Sequence, residues 1–287
     1  MSLKIISDGA GWVLDSIKND FLAHTKLDIN NGQEIIWAIN CWSLKNIKDK
    51  SNVVAHLHHV NRDKLSAYDF DEVSKCKVCI VNNIGTEEFL NDKISCPIVR
   101  LPYWLLSDMR KDGSPFDLGE QTKIGYFQKD SENRTGNPKL IKGPDVFINV
   151  VKQLKDVKVI LSGYNREYVI KELERLDIPY EYFKNTNNLS GLYDSIDWYF
   201  ITSRCEGGPQ SALEASYKKK KVLSTNVGIV SEVLHEDCIC ETEEEFVRKF
   251  NQGINQIEYN FENVLNNFSH EVVIPQYDEL FSKLIKE

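Results

Sequence analysis

The stretch from Trp198 to Glu232 constrains the fold of this chain most, because it sets a glycine-rich corner between two apolar runs. The first run, Trp198 to Thr202, predicts a buried strand, and the second, Val222 to Thr225, follows at the distance of a β-α-β unit. Two glycines and a proline keep the intervening SRCEGGP segment out of regular structure, and a helix should begin just after Pro209. This region is therefore predicted to contain parallel strands joined by a helix.

The same corner puts chemical groups at a helix N-terminus. The unpaired N–H groups and partial positive charge of a first helical turn suit phosphate, and Gly207 and Gly208 allow close backbone approach. Glu206 precedes the helix and Glu214 lies in its second turn, so both carboxylates could face one cleft and accept hydrogen bonds from sugar or ribose hydroxyls. The alternative is that Glu206 is a solvated loop residue and Glu214 a surface helix residue.

The residues SRCEGGPQSALEA, followed by STNVGIVSEV, resemble the donor-site signature of the family 4 (group 1) retaining glycosyltransferases of the GT-B fold. That signature has two glutamates separated by seven residues within the frame S-x-x-E-G-x-P-x-x-x-L-E-A. The resemblance implies that Glu206, Gly207 and Gly208, with the helix start after Pro209, hold the donor sugar and diphosphate, and that Glu214 takes the ribose hydroxyls. Four lysines stand where the family usually has Ala-Cys-Gly-x-Pro, which makes the chain a divergent member.

Length and charge narrow the class of protein. A chain of 287 residues is comfortable for two small α/β domains. Its net charge of −8 argues against a general nucleic-acid binder, because no basic excess is present to replace phosphate counterions. The basic run Lys218 to Lys221 lies at a predicted helix C-terminus, where cations complement the helix dipole; a patch for a membrane surface or an acidic partner is the alternative.

Cysteine content and hydropathy bear on location. Seven cysteines is an odd number and no signal peptide is recognised, so we expect free thiols in a reducing, cytoplasmic compartment. The pair Cys76 and Cys79 has the spacing of a metal or redox site but leads into a strand, so buried structural thiols are predicted. No window approaches ~18 uninterrupted apolar residues, so no transmembrane segment is predicted, and peripheral membrane contact stays open.

The N-terminal part of the chain begins with a strand, a glycine turn and a helix. Strands are predicted at residues 4–7, 34–39, 52–57, 77–82 and 97–101, and a helix at 12–24. The turn contains Gly9 and Gly11 but lacks the third glycine of a dinucleotide fingerprint and the Lys-Ser of a P-loop. The resemblance implies that this turn lies near the donor phosphates or the acceptor; a plain tight turn is the alternative.

The third predicted strand ends in three histidines. Alternation puts His56 and His58 on one face and His59 on the other. The carboxyl end of a strand is where an open α/β sheet keeps its site, and the resemblance implies that His58 or His59 faces the sugar and acceptor. Zinc and non-functional histidines are the alternatives. Asp69 and Asp71 form a D-x-D pair, which we interpret as accidental because it precedes a helix rather than following a buried strand.

A second strand–loop–helix segment begins at residue 122. The family usually has Gly-Arg-Leu at the end of this strand, with an arginine that pairs with the diphosphate, whereas this chain has Gly125-Tyr-Phe. Lys142 matches the family's Lys-Gly, which reaches the diphosphate, and Arg134 or Lys139 could substitute for the arginine. The alternative for Lys142 is a solvated residue ahead of a Gly-Pro helix start, although its position before a helix favours anion binding.

These observations predict an α/β protein of the GT-B type with two Rossmann-like domains facing a cleft, the N-terminal one small. We expect an acceptor-side domain at 1–118, a nucleotide-sugar-binding domain at 119–270, and a C-terminal segment at 271–287 whose helix, predicted to start at Pro275, packs back on the first domain. The expected activity is metal-independent, retaining transfer of a sugar from a UDP, GDP or ADP sugar to a sugar, glycan or lipid-linked acceptor, with no tightly bound cofactor.

Two other functions remain open at this point. One is a non-catalytic nucleotide-sugar-binding or regulatory module, because the first domain is short and the usual arginine is absent. The other is a GT-B enzyme outside this family, such as an epimerase or an inverting transferase. The base, sugar and acceptor are set by pocket-lining loops, which sequence patterns do not resolve.

Overall fold

A computed structural model of the protein describes residues 3–7, 9, 13–27, 29, 34–39, 41–58, 60, 65, 69–128, 138–184 and 186–286. The chain divides into two compact units. Unit 1 comprises Met1–Ser107 and Asn266–Glu287, and unit 2 comprises Asp108–Leu265. Each unit is built on one parallel sheet with helices, so both have α/β architecture.

The sheet of unit 1 has five parallel strands that follow one another in chain order. They are β1 (Leu3–Ile6), β2 (Ile35–Ala38), β3 (Val53–Leu57), β4 (Val78–Val81) and β5 (Ile98–Arg100). Every residue of β3 and β4 is buried, as expected of strands covered on both faces. The five strands predicted for this region are confirmed, and their ends differ from the apolar runs by at most one residue.

Three helices lie between these strands: α1 (Val13–His24), α2 (Phe70–Ser74) and α3 (Ile84–Leu90). The carboxylate of Asp69 accepts a hydrogen bond from the backbone N–H of Glu72 at 3.1 Å and so caps α2. In the same way, the side chain of Asn83 caps α3. Asp69, the first aspartate of the D-x-D pair, therefore has a structural role as a helix cap.

The two cysteines with C-x-x-C spacing are buried in the core of unit 1 beside the 3-10 helix Cys41–Asn46. Burial raises the pKa of Cys76 to about 12 and that of Cys79 well above its usual value, so both stay protonated. All seven cysteines of the chain are free thiols. Cys76 and Cys79 are thus buried structural thiols, as predicted.

The sheet of unit 2 also has five parallel strands, but its order reverses. The strands are β6 (Thr122–Tyr126), β7 (Val157–Ser162), β8 (Tyr180–Phe183), β9 (Trp198–Ile201) and β10 (Lys221–Ser224). Their order is β10-β9-β6-β7-β8, so the chain moves away from β6 on one side and returns on the other. Open α/β sheets bind ligands outside the carboxyl ends of the two strands at such a switch point, which here are β6 and β9.

Seven helices belong at least mainly to unit 2. They are α4 (Pro144–Val151), α5 (Glu167–Arg175), α6 (Leu189–Asp194), α7 (Gln210–Tyr217), α8 (Val230–Val233), α9 (Glu243–Asn251) and α10 (Ile257–Asn267). Apolar side chains of α4, α5 and α9 pack against the inner strands in one core that contains Phe147, Leu173, Phe200 and Phe246. The core fixes β6 and β9 and thereby the loops that leave them.

The four lysines after α7 are each engaged within unit 2. Lys218 pairs with Asp194 at 3.1 Å, and the Nζ of Lys220 donates to the Asp194 carbonyl at 3.2 Å. Lys219 pairs with Glu258 in α10, and the Nζ of Lys221 lies 5.1 Å from the centroid of the Trp198 ring. The basic run is at a helix C-terminus, as predicted, and these contacts account for it within the fold.

Helix α10 has no counterpart in the sequence-based predictions. Its buried face includes Asn260, whose side chain accepts from the backbone N–H of His235 at 2.8 Å. Asn263 donates to the carbonyls of Glu232 and Val233, each at 2.8 Å. Apolar side chains share this helix with the asparagines: Val264 is buried, and the ring of Phe261 lies 5.9 Å from that of Tyr217.

The last helix, α11 (His270–Lys286), corrects the expectation that Pro275 begins it. Pro275 lies inside α11 on its exposed side, where its missing N–H removes one hydrogen bond of the helix. The opposite side is buried: the rings of Tyr277 and Phe281 lie 5.4 and 5.2 Å from that of Trp37 in unit 1. Within the described residues, neither α11 nor any other helix is long and apolar enough to cross a membrane.

Candidate functional site

Polar and charged side chains gather in unit 2 where β6 and β9 end. The loop after β9 runs from Thr202 to Pro209 and leads into α7. The chain after β6 returns to the same place through the 3-10 helix Leu140–Lys142 and the start of α4. This arrangement follows from the strand order, because neighbouring parallel strands deliver their carboxyl ends to one edge of the sheet.

Lys142 and Glu206 form an ion pair at this edge. The Lys142 Nζ lies 2.6 Å from Glu206 Oε2. Their side chains are 33% and 11% exposed, so both are partly withdrawn from water but accessible from one side. A cation and a carboxylate in this position could bind a phosphate and a sugar hydroxyl, respectively. The two residues are 64 positions apart in sequence, and their contact was not predicted.

Lys142 is positioned by a tight backbone approach beside it. Gly143 has a φ of +62°, and a Cβ at this position would lie 1.7 Å from the Thr202 carbonyl oxygen, so only glycine fits. The Thr202 hydroxyl donates to the Gly143 carbonyl at 2.8 Å, and the hydroxyl of Tyr126 donates to the Lys142 carbonyl at 2.9 Å. Tyr126, at the position where the resemblance implies an arginine, is fully buried, and its hydroxyl holds the Lys142 backbone.

A second ion pair joins the two loops. The Arg204 guanidinium donates to both carboxylate oxygens of Asp145, each at 2.7 Å, and to the Leu140 carbonyl at 2.7 Å. The backbone N–H of Arg204 also donates to the Ile141 carbonyl at 2.8 Å. Burial would raise the pKa of Asp145, but the arginine outweighs it and holds that pKa below its usual value. We call this contact the Arg204 clasp.

Glu206 is held on its other oxygen by Ser203. The Ser203 Oγ lies 2.8 Å from Glu206 Oε1 and 3.2 Å from the Oε1 of Gln128, which follows β6. Ser203 is fully buried and Gln128 nearly so. Neither was singled out from the sequence. Ser203 stands within the signature frame, which was the available signal, whereas a lone glutamine after a strand carries none.

The glycines of the corner adjoin the start of α7. Gly207 is buried and Gly208 half-buried, and α7 begins after Pro209, with no side-chain cap among the described residues and no acidic residue in its first turn. A Cβ at Gly228 would lie 2.5 Å from the Gly207 carbonyl oxygen, so the loop after β10 supports the corner from behind. A helix N-terminus of this kind favours an anion.

Glu214, in the second turn of α7, has its own partner. Its Oε2 accepts the hydroxyl of Tyr193 at 2.9 Å. Burial raises the pKa of Glu214 to about 7, and the Tyr193 hydrogen bond only partly offsets this. Phe127 packs edge-on against Tyr193 and Tyr199 lies tilted beside it, with ring centroids 5.0 and 5.4 Å from that of Tyr193, and both rings contribute to the apolar surroundings of the carboxylate.

His56, within β3, and His58, directly after it, lie in unit 1 and make hydrogen bonds within it. The ring centroids of His56 and His58 are 4.2 Å apart, which confirms that they share a face. The Nε2 of His58 contacts the Ile39 carbonyl and its Nδ1 contacts the Tyr103 hydroxyl, so the imidazole donates at Nε2 and accepts at Nδ1. His56 is fully buried, with its Nε2 3.0 Å from Asn82 Oδ1.

The remaining site predictions concern the glycine turn, His59 and Arg134. Gly9 has a φ of +64° and is exposed, with nothing within 4 Å of an added Cβ. Gly11, His59 and Arg134 lie outside the described residues. In the part of the chain that the structure covers, no group of three or more His, Cys, Asp or Glu side chains is arranged to hold a metal ion.

Comparison with protein families gives a match over the same region. Residues 136–267 match the family model of the group 1 glycosyl transferases. The matched segment contains Lys142, Glu206 and Glu214, as well as the glycines of the corner. This segment is therefore similar to the group 1 glycosyl transferases. No curated protein is significantly similar to the chain in sequence.

Solved structures of similar fold extend over most of the chain. Sucrose-phosphate synthase from Thermosynechococcus elongatus aligns with a TM-score of 0.72 and 13% identity, covering 90% of this chain and 75% of that one. HepE of Anabaena, in complex with UDP and glucose, gives 0.68 and 15%, covering 87% and 78%. A glycosyltransferase from Rickettsia africae gives 0.69 and 17%, covering 98% and 84%. At these identities the likeness shows the fold, an α/β fold shared with GT-B glycosyltransferases.

Proposed function

We propose that the protein is a metal-independent glycosyltransferase that moves a sugar from a nucleotide diphosphate sugar to an acceptor hydroxyl with retention of configuration. The observation that carries this proposal is the Lys142–Glu206 pair at the switch point of unit 2, beside the start of α7. The family match over residues 136–267 supports sugar transfer, and the resemblance of the SRCEGGPQSALEA motif to retaining enzymes supports the stereochemistry.

In this proposal the donor diphosphate binds the Lys142 ammonium and the N–H groups of Gly207, Gly208 and the first turn of α7 after Pro209. Negative charge develops on the diphosphate as the sugar leaves, and fixed cationic and N–H groups stabilise that charge without having to reorganise. Arg134 or Lys139 is the basic residue that we propose in place of the arginine that the resemblance implies.

Glu206 accepts hydrogen bonds from hydroxyls of the transferred sugar, and Glu214 accepts them from the ribose. A carboxylate has two oxygens and about four lone-pair sites, so each can serve a pair of hydroxyls while keeping its protein partner. UDP, GDP and ADP sugars are the donor classes proposed, and the complexes of HepE with UDP and glucose make a UDP sugar the first to test.

The proposal assigns the acceptor to a small N-terminal domain, residues 1–118, with the helix of 271–287, and the donor to residues 119–270, as two Rossmann-like domains facing a cleft. His58 or His59 orients the acceptor or sugar, and the turn of Gly9 and Gly11 approaches the donor phosphates or acceptor. Closure would exclude water that hydrolyses the donor. A sugar, glycan or lipid-linked acceptor and a cytoplasmic location belong to the same proposal, and the seven free thiols support the latter.

A panel of UDP, GDP and ADP sugars in a thermal-shift assay tests the binding part of this proposal, because a ligand that binds only the folded state raises the melting temperature. With the best donor, Glu206→Ala should lower turnover by about 100-fold or more. Glu258→Ala, which removes an exposed glutamate paired with Lys219, is the matched control and should keep full turnover.

The second candidate function, a nucleotide-sugar-binding module, is favoured by one observation: buried Tyr126 stands where the family has its diphosphate arginine. Such a module would shift the melting temperature with a donor yet release no nucleotide with any acceptor. An inverted product would instead contradict retention and place the chain among other GT-B enzymes.

A further inference from the structure

The hydroxyl of Ser203 stands between two acceptors but has only one proton to give. Its Oγ lies 2.8 Å from Glu206 Oε1 and 3.2 Å from Gln128 Oε1. Ser203 is fully buried, so no water from the solvent supplies a second hydrogen-bond donor there. The shorter of the two distances, and the charge of the acceptor, favour donation to Glu206.

Gln128 resolves the competition if its amide is turned. Its Nε2 is buried and has no hydrogen-bond partner among the described residues. An amide keeps its shape when oxygen and nitrogen exchange places, and the exchanged amide brings its NH2 to Ser203 Oγ. Gln128 then donates to Ser203, and Ser203 donates to Glu206. The result is a chain of two hydrogen bonds, from Gln128 to Ser203 and from Ser203 to Glu206, in which each acceptor receives its own proton.

We propose that Ser203, oriented by Gln128, is a positioning residue that fixes the Glu206 carboxylate for hydroxyl groups of the donor sugar. The inference rests on the proposed function and concerns the sugar alone. With Ser203 on Oε1 and Lys142 on Oε2, the carboxylate plane is held from both ends. About two of its four lone-pair sites remain, and these suit two neighbouring alcohol groups.

The physical gain is preorganisation of Glu206. A glutamate on a loop has three freely rotating side-chain bonds, and fixing them on binding costs affinity. Ser203 has already fixed them, and its own rotamer is locked by burial at the end of β9. The nucleotide does not benefit from this, because its phosphates are assigned to Lys142 and backbone N–H groups. Loss of Ser203 should therefore be felt by the sugar and not by the nucleotide.

Binding of paired ligands tests this. Isothermal titration calorimetry compares each nucleotide with its sugar: UDP with UDP-glucose, GDP with GDP-mannose, and ADP with ADP-glucose. Each pair is titrated into the wild-type protein and into the variants Ser203→Ala, Ser203→Thr and Ser224→Ala. We expect Ser203→Ala to weaken the nucleotide sugar about tenfold while the bare nucleotide changes less than about twofold. Ser203→Thr, which keeps a hydroxyl, should bind the nucleotide sugar with nearly the affinity of the wild-type protein. Ser224→Ala removes another fully buried hydroxyl, one that donates to the Thr225 carbonyl, and should leave both ligands unchanged.

Two results would overturn the proposal. If Ser203→Ala weakens nucleotide and nucleotide sugar by the same factor, the residue only supports the fold. If it weakens neither, Ser203 does not position Glu206. Failure of the proposed function would give another result, because the wild-type protein would then bind the nucleotide sugar without turnover. The affinities for nucleotide sugar and bare nucleotide could still be compared between the variants.

A measurement without ligand keeps the inference testable if no donor on the panel binds. In a double-mutant cycle on urea unfolding, Ser203→Ala and Glu206→Ala should be non-additive, with a coupling of about tenfold in the unfolding equilibrium constant. Gln128→Leu should couple to Ser203→Ala in the same direction, by about threefold. If the losses of unfolding free energy are additive in both cycles, the hydrogen-bond chain from Gln128 through Ser203 to Glu206 is contradicted.

Discussion

Units 1 and 2 have the same number of parallel strands but differ in what those strands present at their carboxyl ends. In unit 2 the strand order turns back between β6 and β9, and Lys142 and Glu206 meet where those strands end. In unit 1 the order runs straight from β1 to β5, and His56, His58 and Asn82 bond to one another and to the backbone.

The difference teaches that polar residues at strand ends are not sufficient to mark a binding site. A reversal of strand order separates the connections on its two sides and leaves space between them, which a ligand can occupy. In unit 1, where the order does not reverse among the described strands, His56, His58 and Asn82 instead make hydrogen bonds within the unit.

The largest expected effect comes from two glycines with nearly equal φ, one in each unit. Gly143→Ala should lower the free energy of unfolding by about 3 kcal/mol, because strain at φ +62° is joined by overlap with the Thr202 carbonyl. Gly9→Ala has only the strain of φ +64° and should cost about 1 kcal/mol. Urea denaturation of both variants makes the comparison, and equal losses would show that the close approach at Gly143 does not matter.

Next in size is the pH dependence of unit 2. Burial raises the pKa of Glu214 from 4.5 to about 7, so the folded state favours the protonated carboxyl. Stability from this group is fully present below pH 4.5 and is lost as the pH rises through 7. Relative to Glu214→Gln, wild-type protein should lose about 2 kcal/mol of unfolding free energy between pH 5 and 8. A constant difference between the two proteins across this range would rule out a raised pKa.

Lys142→Met sharpens the comparison at the site itself. Loss of the ammonium should weaken binding of the bare nucleoside diphosphate about tenfold, because a charged hydrogen bond to phosphate disappears. Lys158→Met removes another partly buried lysine, one that contacts Glu181, and is the matched control. Isothermal titration calorimetry on both variants measures the affinity for the nucleoside diphosphate. If both variants bind it equally weakly, the effect comes from the net charge of the protein and not from a contact of Lys142.

The smallest expected effect is a pH dependence of opposite sign in unit 1. Burial, with the neighbouring His58 adding to it, holds the pKa of His56 well below 6.5, so the folded state keeps the imidazole neutral. Stability from this group is present above pH 6.5 and falls as the pH drops below it, by about 1 kcal/mol down to pH 5.5. Hydrogen exchange on peptides from β3 and β4 should report the loss, while peptides from β6 and β9 should not.

Much of the fold could be predicted from the sequence because strands and helices here follow local patterns. The strands of both sheets agree with their apolar runs, and α7 begins directly after Pro209 as its flanking residues indicate. Lys142 and Glu206 were both recognised from the resemblance. Their contact was not, since it depends on the register of β6 and β9, which bring together residues far apart in the chain.

The rest could not be predicted because it depends on residue types with weak local preferences or on tertiary contacts. Helix α10 is rich in asparagine, a weak helix former, and hydrogen bonds of Asn260 and Asn263 hold it in place. Pro275 suggested a helix start, but the packing of Tyr277 and Phe281 on Trp37 outweighs one missing hydrogen bond. Gln128 matters only through Ser203, so no motif could have selected it.

The Arg204 clasp has a consequence for how ligand recognition can change in evolution. Because it ties the segment of Lys142 to the segment of Glu206 by four hydrogen bonds, the two loops behave as one body. A substitution that shifts one of these loops should therefore also shift the other. Changes of donor preference should therefore arise through single side chains within this frame, rather than through insertions that would lengthen either loop alone.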